Sequence, residues 1–238
     1  MHLHPVAILR SPYKQKFAIP RQPGLVREAI GELVFTPDCA DPNCLRGIEG
    51  FSHLWLLFGF HETAAQGWSP TVSPPRLGGS SKIGVFASRS TFRPNPLGLS
   101  VVEFVDIVQD GKTLVLRVRG IDLLDGTPVY DIKPYLPWAD AIADARGGYA
   151  DDAPATLQVQ FTADALQQLS PHLVRHPDLE SFIRAVLAQD PRPAVHVRQS
   201  GNRHIERDYA MFLYDLNIRW QVTEGICTVL AIETPPGD

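Results

Sequence analysis

The sequence is short of several things, and each shortage removes a class of function. No run approaches the roughly 18 uninterrupted apolar residues of a membrane helix, so no membrane span is expected. The opening residues Met1-His-Leu-His-Pro5 lack the basic flank and apolar core of a secretory signal, and the expected location is the cytoplasm. Cysteine is scarce, three in 238 residues and odd in number, which argues against a disulfide framework. Cys39 and Cys44 are near neighbours with His53 beyond, but zinc wants four convergent ligands, so no metal site is expected. No G-x-G-x-x-G opens a helix after a strand, and there is no P-loop, no G-x-S-x-G and no H-E-x-x-H. Gly78-Gly79 follows a proline-rich stretch, the wrong context for a dinucleotide fingerprint. A nucleotide-like ligand would need a pocket built from loops.

Acid is also missing locally. Residues 1–27 carry Arg10, Lys14, Lys16, Arg21 and Arg27 and no carboxylate. Between Glu62 and Glu103 there is again none, against Arg76, Lys82, Arg89 and Arg93. Acids gather at Asp122, Asp125, Asp131, Asp140, Asp144, Asp151 and Asp152. A net charge of −4 speaks against bulk nucleic-acid binding. The uneven distribution still permits one basic face toward phosphates, unless the charges interleave in three dimensions. Composition leaves both open.

What is present reads as a mainly β protein. A hydrophobic share of 44% and a charged share of 20% suit a globular chain. Val6–Arg10, Gly31–Phe35, Leu54–Phe60, Ile83–Ser88, Ser100–Val108, Leu114–Gly120 and Val129–Ile132 are short, apolar and rich in β-branched or aromatic residues, as strands are. Asp110-Gly111 is a hairpin signal and Asp125-Gly126 a further turn. Prolines at Pro70–Pro75 and Pro94–Pro96 mark loops. Many short antiparallel strands predict a barrel or a sandwich, closed to avoid exposed edges, over residues 1–150. A small α+β domain is expected over 151–238. There Thr162 can cap a helix Ala163–Leu169. Asp178 can cap another, in which Leu179, Phe182, Ile183, Val186 and Leu187 share one face. Pro191-Arg192-Pro193 stops it. Phe212, Tyr214, Leu216, Ile218, Trp220 and Val222 alternate as one long strand, and Glu224-Gly225 turns into Ile226–Ile232.

Four segments are dense in chemically useful residues: Arg10–Gly24, Phe51–Glu62, Gly84–Ser100 and Gly120–Tyr135. They hold Arg10-Ser-Pro-Tyr13, Pro20-Arg-Gln-Pro-Gly24, Phe51-Ser-His-Leu-Trp55, Arg89-Ser-Thr-Phe-Arg-Pro-Asn-Pro96, Asp125-Gly-Thr-Pro128 and Asp131-Ile-Lys-Pro-Tyr-Leu-Pro137. Gln189-Asp-Pro-Arg-Pro193 follows later. In these the chain resembles the TsaA-like family, also called YaeB or TrmO, nearly from end to end. The resemblance implies a small β-barrel that binds S-adenosylmethionine, works as a homodimer, and methylates N6 of threonylcarbamoyladenosine beside the anticodon of threonine tRNA. It further implies cofactor contacts at Pro20, Arg21, Gln22, His61, Glu62, Arg89, Leu99, Asp122, Leu124, Asp125, Gly126, Thr127 and Pro128.

The residue types suit that chemistry. Arg21 or Arg89 offers a planar fork to the cofactor carboxylate, Glu62 or Asp125 an acceptor for its ammonium or ribose hydroxyls, and Leu99 and Phe86 an apolar surface for adenine. Taken singly, such an Arg is a solvated cation and Asp125-Gly126 a plain turn. Asn95, held between two prolines, is the candidate to accept the N–H of the target nitrogen, and is otherwise a turn residue. For the tRNA anticodon stem-loop, Lys14, Lys16, Arg93, Arg192, Arg198, Arg203 and Arg207 are candidate phosphate contacts. Tyr13, Phe92, Tyr135 and Tyr209 are candidate stacking surfaces, or packing residues. Two rival readings are a non-catalytic RNA-binding barrel and a hydrolase using His61 and Glu62.

Overall fold

Alternation builds the first sheet. In strand β3 (His53–Gly59) Leu54, Leu56 and Phe58 are buried and the residues between them half-buried. That is the period of two of a strand with one side on a core. In the computed structural model, which describes residues 2–79, 81–193, 196–197 and 207–235, the same pattern runs through β1 (Ala7–Arg10) and β2 (Ile30–Phe35). With β6 (Leu97–Asp110), β7 (Thr113–Arg119) and β8 (Pro128–Pro134) these form one six-stranded sheet in the order β1-β2-β7-β6-β3-β8. β8 also pairs with β1, through Ala7↔Val129 and Ile8↔Pro128, so the pairing returns to its first strand. Bulges between Leu57 and Phe58 and between Phe104 and Asp106 bend the strands. Gly98 is opposite Phe58, and a Cβ there would lie 2.3 Å from the Phe58 ring. A small hairpin, β4 (Thr71–Val72) with β5 (Ile83–Gly84), and two short helices, α1 (His61–Ala64) and α2 (Pro137–Asp140), complete this part.

A separate sheet runs β10-β11-β12-β9, from β9 (Gln158–Phe161), β10 (Tyr209–Leu213), β11 (Leu216–Thr223) and β12 (Ile226–Glu233). Only β9 and β12 are parallel within it. Helix α3 (Ala163–Leu169) packs on β12 and α4 (Leu179–Ala188) on β9. The expected apolar face of α4 is buried at all five positions. Burying each such side chain stabilises the fold by about 1.5–3 kcal/mol. Thr162 caps α3 by accepting from the Ala165 N–H at 3.1 Å.

Contacts divide the chain into two compact units. One is residues 1–10, 31–119 and 126–153; the other is 11–30, 120–125 and 154–238. Two excursions of the first half, 11–30 and 120–125, thus cluster with the C-terminal sheet. Among the described residues no helix is long and apolar enough to cross a membrane, and no group of three metal-ligating side chains is gathered.

Three expectations need correction. The strand expected at Ile83–Ser88 ends at Gly84, because Val85–Ala87 wind into a 3-10 turn closed by the Ser88 hydroxyl donating to the Val85 carbonyl at 2.8 Å. The long strand Phe212–Val222 is a hairpin. Leu213 pairs with Leu216 across the turn Tyr214-Asp215, where Tyr214 has φ 55°. The turn resets the alternation, so Met211 and Leu213 are buried while Phe212 is not. Asp178 makes no side-chain cap on α4; its carbonyl instead accepts from the Ser181 hydroxyl.

Candidate active site

The segment after β1 carries the densest bonding among the candidate residues. Ser11 is buried, and its hydroxyl donates to the Leu123 carbonyl at 2.9 Å while accepting the Tyr13 N–H at 3.1 Å. The Ser11 N–H donates to Asp125 Oδ1 at 2.8 Å, and the Asp125 N–H donates to the Tyr13 carbonyl at 3.0 Å. Lys14 Nζ lies 2.8 Å from Asp125 Oδ2. Further along, the Gly24 N–H donates to the Gly120 carbonyl at 2.8 Å. Gly120 has φ +75°, and a Cβ on it would stand 3.3 Å from the Gly24 Cα, so both the turn and the close approach call for glycine there.

Two motif segments separated by about 110 residues of sequence are thereby laced together. The lacing brings Pro20, Arg21 and Gln22 into one compact unit with Asp122, Leu124 and Asp125. Pro20 is buried, Arg21 exposed and Gln22 half-buried. Each Asp125 oxygen carries two acceptor positions and uses one internally, leaving one per oxygen for a ligand hydroxyl or ammonium. Ser11 was not among the expected site residues. Its place in Arg10-Ser-Pro-Tyr13, directly after a strand, was the available signal.

The other unit holds the remaining candidates. His61 and Glu62 open α1, with His61 Nε2 3.6 Å from Glu62 Oε1 and the Glu62 side chain 69% exposed. Leu99 projects from β6 at 57% exposure and Phe86 stands 79% exposed on its 3-10 turn. Arg89 follows that turn, not a strand, and is exposed. Arg93 braces the turn, its guanidinium donating to the carbonyls of Ser88 at 2.7 Å and Val85 at 3.2 Å. The Asn95 side chain is exposed, and its carbonyl accepts the Leu97 N–H at 2.7 Å. Thr127 is buried, flanked by exposed Gly126 and half-buried Pro128.

The expected RNA contacts fare unevenly. Lys16 is exposed beside the Phe17 ring, and Arg207 is exposed. Lys14 is engaged by Asp125, and Arg93 by the turn it braces. Arg192 is a correction: its side chain, 9% exposed, forms a two-bond fork with Asp190, so it is no open phosphate contact. Arg198 and Arg203 lie outside the described residues. Tyr13, expected as a stacking surface, is fully buried, while Tyr209 is stacked on Trp220 at 4.6 Å and Tyr135 rests against Trp55 and His53. Of the four expected aromatics, Phe92 is the exposed one.

The tRNA-methyltransferase O N-terminal domain matches residues 8–141, and the TrmO C-terminal domain matches 154–235. The chain belongs to the TrmO family. It is 51% identical to the tRNA (adenine(37)-N6)-methyltransferase of Escherichia coli over 229 residues, 96% of each chain. A Pseudomonas aeruginosa protein whose name places it among S-adenosylmethionine-dependent methyltransferases is 45% identical over 91% of this chain and 90% of its own. The crystal structure of TrmO from Pseudomonas aeruginosa superposes with a TM-score of 0.78 at 39% identity, covering 98% of both chains. Membership of a methyltransferase family sets aside the RNA-binding module and the hydrolase.

Proposed function

We propose that the chain transfers the methyl group of S-adenosylmethionine to N6 of an adenosine beside the anticodon, with threonylcarbamoyladenosine in threonine tRNA as the preferred target. The observation that carries this reading is the family match across both halves of a chain whose two main motif loops are bonded side by side. We read the ring of six strands as a closed barrel, residues 1–150 as the cofactor domain and 151–238 as the α+β domain. The protein acts in the cytoplasm as a homodimer.

The residues present suit the cofactor. Arg21 and Arg89 are exposed forks for a carboxylate. Asp125, the exposed Glu62 and its neighbour His61 offer acceptors. Phe86 and Leu99 are exposed apolar side chains that an adenine ring would cover. Pro20, Gln22, Asp122, Leu124, Gly126, Thr127 and Pro128 complete the binding set. When bound, the cofactor supplies an activated methyl group on a sulfonium. The protein's task is then alignment and exclusion of water. The Asn95 amide oxygen would accept a hydrogen bond from the target N6–H and orient that nitrogen; the proton itself leaves to solvent as the N6–methyl bond forms. Lys16 and Arg207 hold phosphates of the anticodon stem-loop, and Phe92 stacks on a loop base. Purified protein titrated with S-adenosylmethionine in a calorimeter should release heat at one site per chain, and methyl label should pass to tRNA. Absence of both would overturn the reading.

A further inference from the structure

We propose that the C-terminal sheet and helices serve cofactor binding, by wedging the Tyr13 ring so that the two laced loops keep their shape; Tyr13 is a positioning residue. The proposal rests on the assignment of Arg21, Gln22, Asp122 and Asp125 to the cofactor.

Tyr13 stands where two sets of contacts cross. Its ring faces the C-terminal elements, 5.8 Å from the Phe182 ring of α4. Phe182 in turn meets Tyr214 edge-on at 5.7 Å, and Tyr214 stacks on His176 at 4.1 Å and 17°. The backbone is tied to the same hairpin: the Tyr214 N–H donates to the Pro12 carbonyl at 2.8 Å, and Tyr13 forms an antiparallel bridge with Leu213. Strand β10 also backs the turn Lys16–Ala18. On the other side, the N–H and carbonyl of Tyr13 lead directly to Ser11 and Asp125, and through Ser11 to Leu123.

A shift of the ring therefore moves Asp125, because one residue carries both sets of bonds. The hydroxyl takes no part. Tyr13 Oη is buried and has no hydrogen-bond partner among the described residues, and burial, reinforced by the Asp122 carboxylate, holds the phenol far above its ordinary pKa. The ring's shape and not its proton does the positioning. The domain matched at 154–235 thus acquires a role distinct from RNA contact.

The test uses the full chain and S-adenosylmethionine calorimetry, with circular dichroism and melting curves taken on the same samples. Tyr13→Phe should bind the cofactor as wild type does. Phe182→Ala, which removes the ring behind Tyr13 and no proposed cofactor contact, should weaken binding about ten-fold while still folded, the loss expected when one charge-assisted contact is misplaced. At saturating cofactor its KM for tRNA should match wild type. Should Phe182→Ala fail to fold, Phe182→Leu takes its place, read by cofactor affinity and by amide exchange at Asp125, both of which should change. Folded Phe182 variants with wild-type cofactor affinity would overturn the proposal, as would a damaging Tyr13→Phe. Arg89→Ala separates the two layers. Loss of binding in Arg89→Ala but not in the Phe182 variants sinks the wedge alone, whereas a wild-type protein that binds no cofactor sinks the underlying assignment and the wedge with it.

Discussion

The loops joined at Ser11 and Asp125 and the segment from Phe86 to Pro96 are built in opposite ways. The first pair is laced by buried or half-buried polar groups, with Gly24 and Gly120 allowing the backbones to touch. The second leaves Phe86, Arg89 and Asn95 exposed and depends on the Arg93 guanidinium for its shape. One surface is organised before any ligand arrives, and the other carries exposed groups that a ligand would bury. Fixed loops reduce the ordering cost of binding, and open side chains provide the contacts.

Four substitutions probe that contrast, the largest effect first. Asp125→Ala removes acceptors for Ser11 and Lys14 from the laced side and a proposed cofactor contact at once. Hydrogen bonds to charged groups are worth about 1.5–3 kcal/mol each, so cofactor affinity should fall on the order of 100-fold, with a lowered melting temperature. Arg89→Ala touches only the open side. It should lose roughly 2 kcal/mol of cofactor binding and melt like wild type; a lowered melting temperature would break the contrast. Arg93→Ala frees the turn that presents Phe86 and Arg89, two neutral acceptors worth about 1 kcal/mol together with lost burial. Its mark should be a few-fold lower kcat/KM, in the range of about 1 kcal/mol. Lys16→Ala should leave cofactor affinity alone, weaken all tRNAs alike, and flatten the log–log salt dependence of tRNA affinity by about 0.7–0.9. An unchanged slope would move the RNA-binding face away from Lys16.

Much of the fold was legible locally. Alternation in β2 and β3, the apolar face of α4 and the Thr162 cap are written in a few neighbouring residues. So are the turns at Asp110-Gly111 and Glu224-Gly225, whose glycines take positive φ, as does Glu224. The hairpin at Tyr214-Asp215 was missed because Asp215 is the single turn former in it, with no glycine or proline beside it, and apolar alternation continues across it in the letters. The shortening of Ile83–Ser88 was hidden for a related reason: side chains of Ser88 and Arg93, not an intrinsic preference, close the turn. For the site, motif resemblance supplied residues but not their bonds. That Lys14 neutralises Asp125, that Arg192 is spent on Asp190 and that Tyr13 is buried are long-range or packing facts. The uneven charge count left a basic face open; of the expected phosphate contacts among the described residues, Lys14, Lys16 and Arg207 stand exposed, and Lys14 is paired with Asp125.

The most direct test of the proposed reaction is methyl transfer from labelled S-adenosylmethionine to threonine tRNA, prepared with and without its threonylcarbamoyl group and digested to nucleosides. The account predicts label on N6 of the threonylcarbamoylated adenosine, little on the unmodified tRNA, and loss of label in Arg89→Ala. Equal labelling of both tRNAs would contradict the proposed target, and no labelled adenosine in either would contradict the reaction itself.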